Sequence, residues 1–134
     1  KVVSKGNTLN RVQQIKKILV AEDIQSNFLL ISALLKKHFD LVNVVNGREA
    51  VEAVRNRPFD LVLMDMKMPV MDGLTATAEI RKFNADLPII ALTAHAFDTD
   101  QQAALEAGCN EYLVKPVDKA KLIAVLKRYC CRKG

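Results

Sequence analysis

Five short apolar runs, set at nearly even intervals, constrain this chain more than any other feature. They are Ile18–Ala21, Leu41–Val45, Leu61–Met64, Pro88–Leu92 and Tyr112–Val114, and their starts fall 23, 20, 27 and 24 residues apart. Such an interval holds one strand, one crossover helix and two turns. Four of the runs are continuously apolar, as parallel strands covered on both faces must be. Leu41–Val45 is interrupted by Asn43, which places it near a sheet edge. Between the runs, apolar residues recur at helical spacing: Phe28, Ile31, Leu34 and Leu35; Ala50, Val51 and Val54; Leu74, Ala78 and Ile80; Ala103, Ala104 and Ala107; Leu122, Val125, Leu126 and Tyr129. Ser26 or Asn27 can cap the first helix, and Gly108 can end the fourth in a left-handed residue. His38 falls late in the first helix, where it favours the helix dipole. Five βα repeats with right-handed crossovers predict an α/β fold, a doubly wound five-stranded parallel sheet with five helices.

At 134 residues the chain is one domain's worth of sequence. No apolar run approaches the roughly 20 residues of a membrane helix, so direct membrane contact is not expected. The net charge of +5 hints at nucleic acid, but its distribution argues otherwise. All 15 acidic residues lie between Glu22 and Asp118, while residues 16–118 hold only 11 of the 20 Lys and Arg. The basic excess therefore belongs to the two ends, and aromatic residues, which nucleic-acid surfaces use for stacking, are only 5%. No nucleic-acid partner is expected. Three cysteines, Cys109, Cys130 and Cys131, suit neither a disulfide framework nor a zinc site, which favours a reducing, cytoplasmic setting. Residues 1–15 are polar and lack clear periodicity, and read as a linker; residues 16–131 form the domain and 132–134 a tail.

Ligands of open parallel sheets bind beyond the carboxyl ends of the strands. Glu22 and Asp23 follow the first run, Asp65 the third, Thr93 the fourth and Lys115 the fifth, itself followed by Pro116. Three carboxylates, a hydroxyl and an ammonium thus converge on one sheet edge. Packed carboxylates repel one another and invite a hard divalent cation, and Mg²⁺ suits a site of two or three carboxylates that leaves room for water. A cation-neutralised site can receive a phosphoryl group, and an Asp carboxylate can act as nucleophile to form an aspartyl phosphate. Asp65 follows the middle run, at the end of the middle strand, and is the nucleophile candidate. Met64 reads as core, and Met66, Met68 and Met71 as loop packing beside Pro69 and Gly73.

The stretches ILVAEDIQSN (18–27), DLVLMDMKMPVMDG (60–73), PIIALTAHA (88–96) and GCNEYLVKPV (108–117) resemble the receiver domain of two-component response regulators over most of the chain. The resemblance implies the flavodoxin-like strand order 2-1-3-4-5. It implies that Asp65 accepts a phosphoryl group from a phosphohistidine. It further implies that Asp23 ligates Mg²⁺ directly, Glu22 largely through water, and Lys67 through its backbone carbonyl. Thr93 is similar to the switch hydroxyl, Tyr112 to the aromatic that turns inward after it, and Lys115 to the lysine that pairs with the phosphoryl group, with a cis Lys115–Pro116 bond. Lys67 and His95 occupy positions that modulate dephosphorylation; Lys67 suggests a longer-lived phosphate and His95 a solvent-facing side chain without a catalytic part. The implied partners are a histidine kinase dimerisation domain or a His-containing phosphotransfer protein, with dimerisation possible through the fourth helix, fifth strand and fifth helix.

The wording ALTAHA and MDMKMPVMDG is most like receivers at the C-terminus of hybrid sensor histidine kinases, whose parent chain would be membrane-anchored. A stand-alone regulator and a non-phosphorylated docking receiver are the alternatives. A Mg²⁺-dependent phosphatase of the haloacid-dehalogenase kind also uses an Asp after a strand, but needs an acid two residues on, where this chain has Lys67. A flavodoxin-type cofactor binder would want a Ser/Thr/Gly-rich loop where AEDIQSN stands.

Overall fold

The computed structural model describes residues 16–94 and 98–129. Strands and helices alternate along the chain: β1 (Lys16–Ala21), α1 (Gln25–Leu35), β2 (Phe39–Val44), α2 (Gly47–Asn56), β3 (Leu61–Asp65), α3 (Gly73–Arg81), β4 (Ile89–Thr93), α4 (Asp98–Ala107), β5 (Glu111–Val114) and α5 (Lys119–Tyr129). The strands form one parallel sheet in the order β2-β1-β3-β4-β5, as the resemblance implied. β2 is an edge strand, which is why Asn43 is tolerated in it. Every residue of the central β3 and of β4 is buried.

Period-two alternation divides the core in two. Leu19, Ala21, Val62, Met64, Ile89 and Ala91 face one side and pack with residues of α2, α3 and α4. Ile18, Val20, Leu61, Leu63, Ile90 and Leu92 face the other and pack with α1 and α5. Fully burying a single Leu or Ile contributes about 1.5–3 kcal/mol, so the continuously apolar β3 and β4 anchor the sheet from both faces. Met66 and Met68 join the first cluster as buried residues, a deeper placement than loop packing.

Local chemistry sets the helix ends. Asn46 caps α2 by accepting the Glu49 N–H at 2.8 Å, and Glu49 Oε1 accepts the Val45 N–H at 3.0 Å. Asp72 caps α3 through the Thr75 N–H at 2.8 Å, and Asp118 accepts the Lys121 N–H at 2.9 Å. Gly108, with φ +119°, closes α4 in a Schellman-type arrangement in which the Cys109 N–H reaches back to the Ala104 carbonyl at 3.0 Å.

Two expectations are corrected. Neither Ser26 nor Asn27 caps α1: the helix begins at Gln25, its N-cap position is Ile24, and no side-chain cap bond forms there. Asn27 turns its amide toward Glu22 Oε2 (3.4 Å) instead. His38 lies beyond α1, in the turn that follows Leu35, because β2 starts at Phe39, two residues before the apolar run. Its N–H donates to the Leu35 carbonyl at 2.9 Å.

Candidate functional site

Alternation along the strands also decides which polar residues meet at the carboxyl edge. Glu22, Asp65 and Lys115 continue the phase of Val20, Leu63 and Leu113, all on the α1/α5 side of the sheet. Thr93 continues the phase of Ala91, which pairs with Tyr112 across β4 and β5, so this hydroxyl and this ring belong to the opposite side. Two backbone bonds keep the strand ends level: Met66 N–H to the Leu92 carbonyl at 3.1 Å, and Lys115 N–H to the Thr93 carbonyl at 2.7 Å.

Lys115 Nζ is the centre of the cluster, 2.9 Å from Glu22 Oε1 and 3.2 Å from Asp65 Oδ1. Both acids are buried. The approach to Glu22 Oε1 is an ion pair without hydrogen-bond alignment, so that buried oxygen has a charge partner but no directed donor. Glu22 Oε2 accepts the Ile24 N–H at 3.2 Å. Ligand oxygens of Glu22, Asp23 and Asp65 all lie within 4.8 Å of one another. Unlike the other two, the Asp23 carboxylate has no protein partner among the described residues and is open to solvent.

The Asp65 pKa is raised from 3.8 to about 6: burial is the largest cause and Glu22 adds to it, while the Lys67 N–H donated to Oδ1 at 3.2 Å and the Lys115 ammonium work against it. For Lys115, burial acts to lower the pKa, but its pairing with Glu22 and Asp65 outweighs this and raises it. One ammonium is therefore shared by two buried carboxylates. A second, divalent positive charge would relieve the repulsion that remains.

The loop from Met66 to Asp72 forms the other wall. Its Met71 N–H bonds the Pro69 carbonyl at 2.7 Å around Val70, whose φ of +69° is strained for a β-branched residue. Two glycines clamp this loop. A Cβ on Gly73 would stand 2.2 Å from the Asp65 carbonyl oxygen, and one on Gly47 would stand 2.3 Å from that of Met71. Sequence reasoning missed both glycines, and missed Asn27 as a partner of Glu22. For the glycines the only sequence signal is the pair of Asn-Gly and Asp-Gly steps that open α2 and α3.

The structure thus brings Glu22, Asp23, Asp65 and Lys115 together. Lys67 contributes a backbone N–H while its residue is exposed. Thr93 is buried at the end of β4, and Tyr112 packs half-buried against the α2–α4 side of the core. The Lys115–Pro116 peptide is cis. His95, Cys130, Cys131, and the segments 1–15 and 132–134 lie outside the described residues. Three hard oxygen donors on two chain segments, with one carboxylate unpartnered, fit a divalent cation of the Mg²⁺ type.

Fold and site define a small doubly wound α/β domain with a carboxylate-built cation cluster at its strand termini. The chain belongs to the response regulator receiver domain family, whose pattern matches residues 18–127. It is 44% identical over 119 residues to hybrid signal transduction histidine kinase M of Dictyostelium discoideum, covering 83% of this chain and 5% of that protein. It is 38% identical over 134 residues to the signal transduction histidine-protein kinase BarA of Escherichia coli K12, covering 93% of this chain and 14% of that protein. The chain therefore spans a small part of these relatives. Among solved structures, the receiver domain of a Pseudomonas aeruginosa sensor histidine kinase, with a magnesium ion coordinated in its active-site cleft, superposes with a TM-score of 0.82. It is 38% identical, over 87% of this chain and 98% of that one. The receiver domain of Saccharomyces cerevisiae Ssk1, crystallised with the histidine phosphotransfer protein Ypd1, also gives 0.82, at 32% identity over 87% and 89% of the two chains. Among the described residues no helix is long and apolar enough to cross a membrane.

Proposed function

We propose that this receiver domain takes a phosphoryl group from a phosphohistidine onto Asp65 and passes the event to its surface through Thr93 and Tyr112. One observation carries the reading: a buried aspartate ends the central strand with an ammonium 3.2 Å away and two further carboxylates within 4.8 Å. Asp65 attacks phosphorus in line; the O–P bond forms as the N–P bond of the donor breaks, and the departing imidazole nitrogen keeps the electron pair and takes up a proton. Mg²⁺, held by Asp23, Asp65 and the Lys67 carbonyl with Glu22 behind them, would supply charge neutralisation on the phosphoryl oxygens. Lys115 is already beside Asp65 and would follow the new charge.

Thr93 shares its sheet face with Tyr112, so drawing the hydroxyl toward the phosphoryl group opens room on the side where the ring packs. That is the bistable element, and its output is the surface of α4, β5 and α5, which can also serve dimerisation. The exposed Lys67 side chain beside the site favours a longer-lived phosphate. The coverage of hybrid kinases among the relatives supports a hybrid kinase as the parent chain and a His-containing phosphotransfer protein as partner.

Incubation with a small acyl phosphate and Mg²⁺, followed by intact mass, tests the reading. One added phosphoryl group on the wild type and none on Asp65→Asn is expected; an unmodified wild type, or label on another residue, refutes it. In a Tyr129→Phe background, which leaves Tyr112 as the one tyrosine of the sequence, Thr93→Ala should accept phosphate yet fail to change tyrosine fluorescence, and an unimpaired change would refute the switch.

A further inference from the structure

Asn43, the polar residue that interrupts the second apolar run, has no part in the phosphoryl chemistry. An edge strand would be better served there by a β-branched residue, yet the amide nitrogen is engaged by backbone carbonyls. Its Nδ2 lies 3.0 Å from the Val20 carbonyl, 3.0 Å from that of Val44 and 3.3 Å from that of Glu22. Two N–H bonds serve three acceptors, so one is shared. The next residue completes the hold, because the Val44 carbonyl accepts the Glu22 N–H at 2.9 Å. Both backbone polar groups of Glu22 are therefore gripped by residues 43 and 44.

The same segment reaches the opposite wall of the site. The Gly47 N–H donates to the Met71 carbonyl at 2.8 Å, a backbone approach that a Cβ would forbid. Between these two grips, the Asn46 cap and the Glu49–Val45 bond hold the connection against α2.

We infer that residues 43–47 brace the two arms of the cation site, the β1–α1 turn and the 66–72 loop, with Asn43 and Gly47 as positioning residues. This rests on reading Glu22, Asp23 and Asp65 as a Mg²⁺ site. Glu22 and Asp23 sit on the first arm, and the second sets out from Asp65 at the end of the neighbouring β3; the acids repel one another, so unbraced arms would spread without the ion and Mg²⁺ would have to close them. The brace supplies that closure in advance.

The test is calorimetric titration of MgCl₂ into wild type, Asn43→Val, Gly47→Ala and Val45→Ala, with urea denaturation in chelator to establish the native fraction. Val45 serves as control: its exposed side chain takes no part in the brace, and alanine keeps the backbone N–H that Glu49 accepts. Asn43→Val and Gly47→Ala should each weaken Mg²⁺ binding by about threefold or more while still folded, and Val45→Ala should not. A smaller change in Asn43→Val, or an equal one in Val45→Ala, overturns the brace. Should Gly47→Ala not fold, Asn43→Val decides alone, since valine suits a strand. A wild type that binds no Mg²⁺ overturns the site and the brace together; wild-type binding retained in Asn43→Val overturns the brace alone.

Discussion

Replacing Asp65 by Asn, the change that abolishes the acceptor, should make the metal-free protein more stable. The native carboxyl titrates near 6 and the unfolded one near 3.8, chiefly because burial disfavours its charge. A separation of one pH unit between native and unfolded titration corresponds to about 1.4 kcal/mol, so ionised Asp65 destabilises the native state by about 3 kcal/mol at neutral pH. Because the folded pKa is the raised one, the native state holds the proton longer, and wild-type stability falls as pH climbs from about 4 to 6. Asparagine keeps an oxygen for the Lys67 N–H and leaves Lys115 its pairing with Glu22. Urea unfolding in chelator should therefore show Asp65→Asn ahead by about 2–3 kcal/mol at pH 7.5, and level with the wild type near pH 4. Saturating Mg²⁺ should narrow the gap by stabilising the wild type. A gap that does not change between pH 4 and 7.5, or a less stable variant at pH 7.5, would refute the electrostatic account.

Lys115→Met strands two buried carboxylates and should lower metal-free stability by about 3 kcal/mol, with Mg²⁺ restoring much of the loss; denaturation with and without the ion measures both. Apparent Mg²⁺ affinity should drop by up to about tenfold per pH unit below about 6, as the proton on Asp65 competes with the ion, and titrations at pH 5 and 7 check it. Val70→Asn should stabilise the chain by about 0.5–1 kcal/mol, because asparagine tolerates the positive φ and the exposed valine loses little packing; thermal melts report it. Gly73→Ala should destabilise by more than about 2 kcal/mol and disturb Asp65 NMR signals, since its Cβ would meet the Asp65 carbonyl oxygen.

Apolar runs and their spacing were sufficient for the five strands, the crossovers and the strand-end placement of Glu22, Asp65, Thr93 and Lys115, because burial on both sheet faces leaves a local, unambiguous pattern. Helix ends were less legible: whether Ser26 or Asn27 caps α1 depended on where Glu22, across the turn, directed its second oxygen. The strand order came from the resemblance and is borne out by the pairing. Only the tertiary structure could decide that one lysine is divided between two buried acids, that Asp65 titrates near 6, and that Asn43 and Gly47 reach the two walls of the site. Pattern along a chain records which face each residue must take. The short distances between separate segments, on which charge sharing and desolvation depend, exist only once the segments are packed together.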